Sequence, residues 1–367
     1  MDFQLDPDLA ALQALAAEIL EDKATDDRVH EVEQSDGRFD EALWTEFARA
    51  GLLGVALPEE YGGAGLGLAA LCVVLEEQGR KVAPIPLWPA GVAAMAVAAH
   101  GSDKQRAGLL PGAASGELRI ALALEEFDGA RPERPACTAA ADGDGVRLTG
   151  VKAAVPTPST AAHVLVSATG EHGPGLYLLD AAAPGVSWQW GETTSRDRTA
   201  NLLLDGAPAT PLGGASALTW VLLRAMVAVS AVQIGVAEGG LRLGAAYTSE
   251  RIQFGRPLGS FQALQHQLAD CWIDIDAMRV ALWQAISDLD GDDPAAERSV
   301  RVAKWWSAQG GLDVVHRVQH VHGGMGVDVD YPVHRHFLWG KQLSGTLGAP
   351  GTVLADLGEL LVAGETA

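Results

Sequence analysis

The stretch ERIQFGRPLGSFQALQHQLAD (250–270) joins two long apolar-patterned segments, and its make-up decides how the rest of the chain reads. Arg251 and Arg256 flank a short turn built on Gly255 and Pro257, with Phe254 and Phe261 beside them. A guanidinium offers donors in a fixed geometry suited to a pyrophosphate. An aromatic ring offers its face to a flat heterocycle. A second stretch, QHVHGGMGVDVDYPVHRH (319–336), sets Gly323 and Gly324 side by side after a helical run. With no side chain at either position, a ligand can come close to the backbone. On these residues alone a dinucleotide site competes with a plainer reading, in which Arg251 pairs with an acidic neighbour and the glycines only end a helix.

Outward from these stretches, the spacing predicts helices over 217–249, 260–290, 294–321 and 346–363. The Gly-Asp-Asp-Pro turn (291–294) and the Gly-rich loop 322–332 separate three of them, which implies a helical bundle. Before the bundle come short runs such as LRIALAL (118–124), GVRLTGVKAAV (145–155), HVLVSAT (163–169), PGLYLLD (174–180), GVSWQW (185–190) and ANLLLDG (200–206). Their separation by Gly, Pro, Asp and Ser predicts a small antiparallel β domain. The first part is helical text, with a helix from Phe39 to Ala50 and a Gly-dense loop at 51–67. Pro84, Pro86 and Pro89 predict a break in the Ala-rich run that follows. The expected fold class is α+β: an N-terminal all-α domain (1–116), a middle antiparallel β domain (117–212) and a C-terminal four-helix bundle (213–367). No internal repeat is visible.

Composition narrows the function. The formal charge is −21, which repels phosphate backbones and anionic lipid and argues against nucleic acid as a partner. A local basic pocket for one anionic ligand remains compatible with it. Cys72, Cys137 and Cys271 are too scattered for a disulfide framework or a zinc site, so they read as inert thiols in a reducing compartment. The acidic N-terminus lacks the basic start and apolar block of an export signal. The most membrane-like stretch, Leu218 to Leu243, is cut by Arg224, Glu238 and Arg242 to a charge-free run of 13 residues, Ala225 to Ala237. A span needs about 20 apolar residues. No membrane segment and a cytoplasmic location are expected.

The order helical–β–helical, with three local motifs, resembles the acyl-CoA dehydrogenase family of flavoproteins over nearly the whole chain. LWTEFARAGLLGVALPEEYGGAGLG (43–67) resembles the family's first-domain signature; 250–270 and 319–336 resemble its two bundle motifs. The resemblance implies FAD, an acyl-CoA ligand, an external electron acceptor, and a dimer or tetramer built through the bundle. It also implies that Arg251, Phe254 and Gln262 reach across the dimer to the neighbour's FAD, with Gly323 and Gly324 doing likewise. His320 stands where the family has a glutamine and can still donate one hydrogen bond.

The sequence departs from the family where the chemistry sits. The family removes the α-proton of an acyl thioester with a glutamate while FAD accepts a hydride from the β-carbon. That step needs a carboxylate within hydrogen-bond reach. One family position for it falls on Leu347, in SGTLGAPGT (344–352), and the other on Ala225, next to Arg224. Neither can accept a proton from carbon, so no catalytic residue is assigned to this chain. The family's flavin-contacting hydroxyl becomes Leu124 in LEEFDGA (124–130). In GVKAAVPT (150–157) its aromatic becomes Ala154 and its second hydroxyl becomes Pro156.

Groups a subunit would use for its own flavin are thus replaced, while groups it would lend to a neighbour remain. This pattern resembles the base-lacking subunit of actinobacterial α2β2 acyl-CoA dehydrogenases, some of which act on steroid-derived substrates. The implied partner is a homologous Glu-bearing subunit that holds the acyl-CoA. Two other readings stand beside it: a self-sufficient homo-oligomeric flavoenzyme with redirected chemistry, and a silent scaffold without flavin. His316, His320 and His322 invite a metal reading, but His322 falls in the loop and no nearby Cys or Glu completes a set. Glu125 and Glu126 are acids near the expected flavin, at positions that match a structural segment. Arg196 and Arg198 read as a solvated β-turn, and Trp305 and Trp306 as core or interface residues.

Overall fold

A computed structural model of the chain describes residues 5–127 and 131–365. The first four residues of the N-terminal stretch, and residues 128–130 of the LEEFDGA segment, lie outside the described residues. Contacts group the chain into two compact units. One takes in residues up to Val29, Cys72–Ala83 and everything from Met226; the other takes in His30–Leu71 and Pro84–Ala225.

Among the described residues, six α-helices precede the first strand: α1 (Pro7–Lys23), α2 (Asp26–Gln34), α3 (Glu41–Arg49), α4 (Gly67–Lys81), α5 (Leu87–His100) and α6 (Asp103–Ser115). Their starts follow local chemistry. Asp6 and Asp40 accept the Leu9 and Leu43 amides, and Ser102 with Gln105 forms a reciprocal capping box. The predicted helix 39–50 is therefore α3, trimmed by its Asp40 cap. The proline-marked break falls between Lys81 and Leu87.

Among the described residues seven strands follow: β1 (Ile120–Ala123), β2 (Thr138–Asp142), β3 (Gly145–Pro156), β4 (His163–Gly170), β5 (Gly173–Asp180), β6 (Val186–Glu192) and β7 (Arg198–Gly213). They form one sheet in the order β1-β4-β2-β3-β7-β5, with β6 added to β7 and a β4–β5 pairing closing the sheet on itself. The middle domain is mainly antiparallel, as expected, with parallel pairing confined to β4. β1 runs parallel to β4 from Ile120↔His163 to Ala123↔Val166, and β2 meets β4 in parallel at Thr138↔Thr169. The other strand pairs of this sheet are antiparallel. The Ala-rich β2 has one buried residue in a pattern of exposed ones, so no alternation announced it. Leu148, Val155, Val164, Val166, Leu179, Leu202 and Leu204 fill the interior of the sheet.

The last part contains α7 (Ala215–Glu250), a minimal hairpin of β8 (Ile252–Gln253) and β9 (Arg256–Pro257), α8 (Gln262–Asp290), α9 (Ala296–His322), α10 (Val333–Gly345) and α11 (Pro350–Glu365). The four expected helices are present, and α9 packs against α8, α10 and α11. A fifth, α10, went unread because its buried face includes His334, Arg335 and His336, which mask any apolar period. The α7 helix is long and apolar enough to cross a membrane, yet 83% of its most apolar window is buried in the protein, as a core helix requires. Two glycines permit its closest crossing. A Cβ at Gly235 would lie 1.9 Å from the Glu76 carbonyl oxygen, and one at Gly79 would lie 2.2 Å from that of Val232. Helices α4 and α7 thus meet backbone to backbone.

Candidate cofactor site

At the end of α7 the Arg251 amide still donates to the Tyr247 carbonyl, while the Arg251 carbonyl accepts the Leu258 amide at 2.8 Å. Between these anchors the β8–β9 hairpin turns on Phe254 and Gly255, with φ of +55° and +79°. Two successive residues at positive φ give the turn the twist that tight hairpins require. The Phe254 ring ends up 91% exposed, edge-on to Phe261 at 6.1 Å. The Arg256 guanidinium lies 4.1 Å over the Phe261 ring and is held there. By contrast, the exposed Arg251 side chain pairs with no acid among the described residues. Its plainer reading as half of an internal ion pair therefore fails.

Gln262 opens α8 and is exposed. On α9, His320 Nδ1 sits 3.4 Å from Gln267 Oε1 of α8. The helix then ends at Gly323 (φ +57°), and the Gln319 amide donates to the Gly326 carbonyl to close the turn. A Cβ built on Gly323 or Gly324 would meet nothing within 4 Å, so the chain itself does not use the space these glycines leave. Tyr247, one turn before Arg251, stacks on His322, which directly precedes Gly323. The hairpin and the glycine turn are therefore neighbours. An unpaired guanidinium, an exposed ring and an uncovered glycine pair fit a dinucleotide held from one side.

The two positions at which the resemblance implies a base are apolar and buried. Leu347 is 3% exposed with φ +56°, and Ala225 is fully buried. Arg224, beside Ala225, has its guanidinium 3.7 Å over the Trp220 ring. Leu124 is buried as well. Ala154 sits in a β-bulge at φ +47°, its amide donating to Asn201 Oδ1.

The best local acid is not a base in waiting. Glu126 Oε1 accepts from Lys152 Nζ at 2.6 Å, and its carboxylate also accepts the Ala136 and Cys137 amides. Lys152 Nζ further reaches Ser167 Oγ at 2.8 Å. Burial works to raise the Glu126 pKa, but Lys152 and the two amides outweigh it and hold the carboxyl below its ordinary value. Arg196 and Arg198 are less solvated than expected. Arg198 donates to the Asp36 carbonyl and lies 4.9 Å over Trp190, and the Arg196 carbonyl accepts from Arg38. The three cysteines are buried and free, and burial pushes the Cys137 and Cys271 thiols up to about 11. Among the described residues no group of three or more His, Cys, Asp or Glu could hold a metal ion.

Residues 6–117 match the family model described as acyl-CoA dehydrogenase, N-terminal domain, and residues 213–349 that described as acyl-CoA dehydrogenase, C-terminal domain. The acyl-CoA dehydrogenase FadE27 of Mycobacterium tuberculosis is 36% identical over 98% of this chain and 99% of its own length. Among solved structures, a variant of the steroid ACAD Tcur3481–Tcur3483 shares 58% identity, with a TM-score of 0.96 over 99% of this chain and 100% of that one. The ChsE4–ChsE5 complex from Mycobacterium tuberculosis shares 35% identity, with a TM-score of 0.94 over 99% of each chain. With its N- and C-terminal family models matched and its fold shared end to end, the chain belongs to the acyl-CoA dehydrogenase family, whose cofactor is FAD.

Proposed function

We propose that this chain is the subunit of a heteromeric acyl-CoA dehydrogenase that lacks the catalytic glutamate and completes the FAD site of a homologous, Glu-bearing subunit. One contrast carries the reading. The two positions read as the base positions hold buried Leu347 and Ala225, while Arg251, Phe254, Gly323 and Gly324 stand exposed among the described residues. Exposed apolar residues also gather along this part of the chain, with Ile252, Trp272, Ile273 and Val327 each more than 60% exposed. A covered interface accounts for such a surface better than open solvent does. Two similar proteins point the same way: ChsE4–ChsE5 is a complex, and Tcur3481–Tcur3483 is named as a pair and as a steroid ACAD. A steroid-derived or similarly bulky acyl thioester is the substrate proposed on that likeness.

In the proposed assembly the partner's glutamate takes the α-proton. FAD, when bound, supplies the acceptor for the β-hydride. This chain contributes charge neutralisation by Arg251, ring contact by Phe254, polar contacts by Gln262 and His320, and backbone access at Gly323 and Gly324.

The test is expression alone and with a homologue that carries Glu at either base position. Flavin and acyl-CoA oxidation are expected only in the co-expressed complex. Stoichiometric FAD with full activity in the homo-oligomer would overturn the reading, as would a flavin-free complex with every homologue tried.

A further inference from the structure

His322 is the last residue of α9 before the glycine turn, and it is 2% exposed. Its Nδ1 lies 2.7 Å from the Val318 carbonyl, an acceptor, so Nδ1 carries the proton and Nε2 the lone pair. Nε2 is buried with no hydrogen-bond partner among the described residues. The ring stacks on Tyr247 (4.5 Å between centroids, 25° between planes) and leans on Tyr331 (5.3 Å, 52°). Those three rings belong to three different segments. Tyr247 lies one turn ahead of Arg251, His322 adjoins Gly323, and Tyr331 lies past the glycine turn.

From this arrangement we infer that neutral His322 is the positioning residue that pins the Gly323–Gly324 turn against the Arg251 hairpin. The inference rests on the reading of those residues as the lent half of a flavin site, and it adds a pH-sensitive support to it. Tyr247 on α7 and Tyr331 on the following loop are the titratable groups against the ring; Glu250 and Asp26 act on Tyr331 from nearby. A second ring proton on His322 would sit on Nε2, buried and without an acceptor, which is costly. Burial accordingly holds the His322 pKa below the ordinary histidine value, against the Val318 carbonyl, which favours the charged form. A folded-state pKa that is depressed means the pin is intact above the ordinary histidine range and lost as pH falls through it.

The experiment follows hydrogen exchange of residues 321–332 in the full chain against pH, corrected for intrinsic exchange. Local opening is expected to rise by as much as about tenfold per pH unit below the ordinary histidine range. His322→Phe keeps the ring and removes the titrating nitrogen, so its exchange should be flat over the same range. Should that variant fold poorly, Tyr247→Ala removes the stack from the other side and should open the turn at every pH. An acid response unchanged in His322→Phe, or a turn still closed in Tyr247→Ala, overturns the inference. Flavin retention by the complex with the Glu-bearing partner is a separate readout, expected to follow the same pH profile. Absence of flavin at neutral pH in the wild-type complex would count against the functional reading and leave the exchange result to judge His322.

Discussion

Lys152 Nζ and Glu126 Oε1 lie 2.6 Å apart with side chains 0% and 6% exposed. The pair is fully used: Glu126 also accepts two amides, and Lys152 also bonds Ser167. Glu126 is thereby committed to structure.

Removing one partner leaves the other charge buried and uncompensated. Glu126→Gln is expected to cost about 3–5 kcal/mol in urea unfolding, and Lys152→Met combined with Glu126→Gln to restore a large part of it. Turnover per folded heteromeric complex should hold. A loss of kcat without a loss of stability would assign Glu126 to the chemistry instead.

Gly324 separates folding from ligand approach. Its φ is not positive, and an added Cβ meets nothing in the chain, so Gly324→Ala should change stability by less than about 0.5 kcal/mol. The same methyl group occupies the space a cofactor would need, so flavin content of the complex should fall. Arg251→Ala should behave alike, because the Arg251 side chain has no ion-pair partner among the described residues to lose. Absorbance of flavin per complex, beside thermal melting of the isolated chain, checks both.

What the sequence disclosed here follows from where the information is local. Helix α3 is written in Asp40 and its apolar spacing, and the residues proposed to hold the cofactor lie in contiguous motifs around Arg251 and Gly323. What stayed hidden depends on contacts between distant segments. The parallel β1–β4 pairing joins residues more than 40 positions apart. The face of α10 buries His334, Arg335 and His336, polar residues whose burial no spacing reveals. The support proposed for His322 is not legible in the sequence, because its neighbours Tyr247 and Tyr331 meet it only in the fold. Arg198 looked like a solvated turn because Asp36 and Trp190, its partners, lie on other elements.

Asp197 gives a stability term with a defined pH sign. It lies in the turn between β6 and β7, accepting from Ser195 Oγ at 2.8 Å. Burial pushes its carboxyl up to about 6; Ser195 and Arg38 oppose the shift and Glu33 adds to it. A folded-state pKa raised above the unfolded one favours the folded chain at low pH, and that contribution is lost as pH rises through about 6. Asp197→Asn should therefore melt higher than wild type at pH 7.5, by the equivalent of about 1–3 kcal/mol, with the difference vanishing near pH 4. Equal gaps at both pH values would sink this account.

Restoring the family's carboxylate should not restore its chemistry in this chain alone. Leu347 is 3% exposed at φ +56°, so Leu347→Glu places a charge in an apolar setting, at a cost of about 2 kcal/mol or more. Even where the variant folds, Leu124, Ala154 and Pro156 still stand where the resemblance implies contacts to a subunit's own flavin. The purified Leu347→Glu homo-oligomer is expected to leave a panel of acyl-CoA thioesters unoxidised with an artificial acceptor present. In the proposed heteromeric complex the same substitution should leave the partner's rate per flavin unchanged, because it lies outside the half-site proposed for this chain. Turnover by the homo-oligomer would mean that one residue, rather than the whole inner flavin pocket, separates this chain from a self-sufficient dehydrogenase.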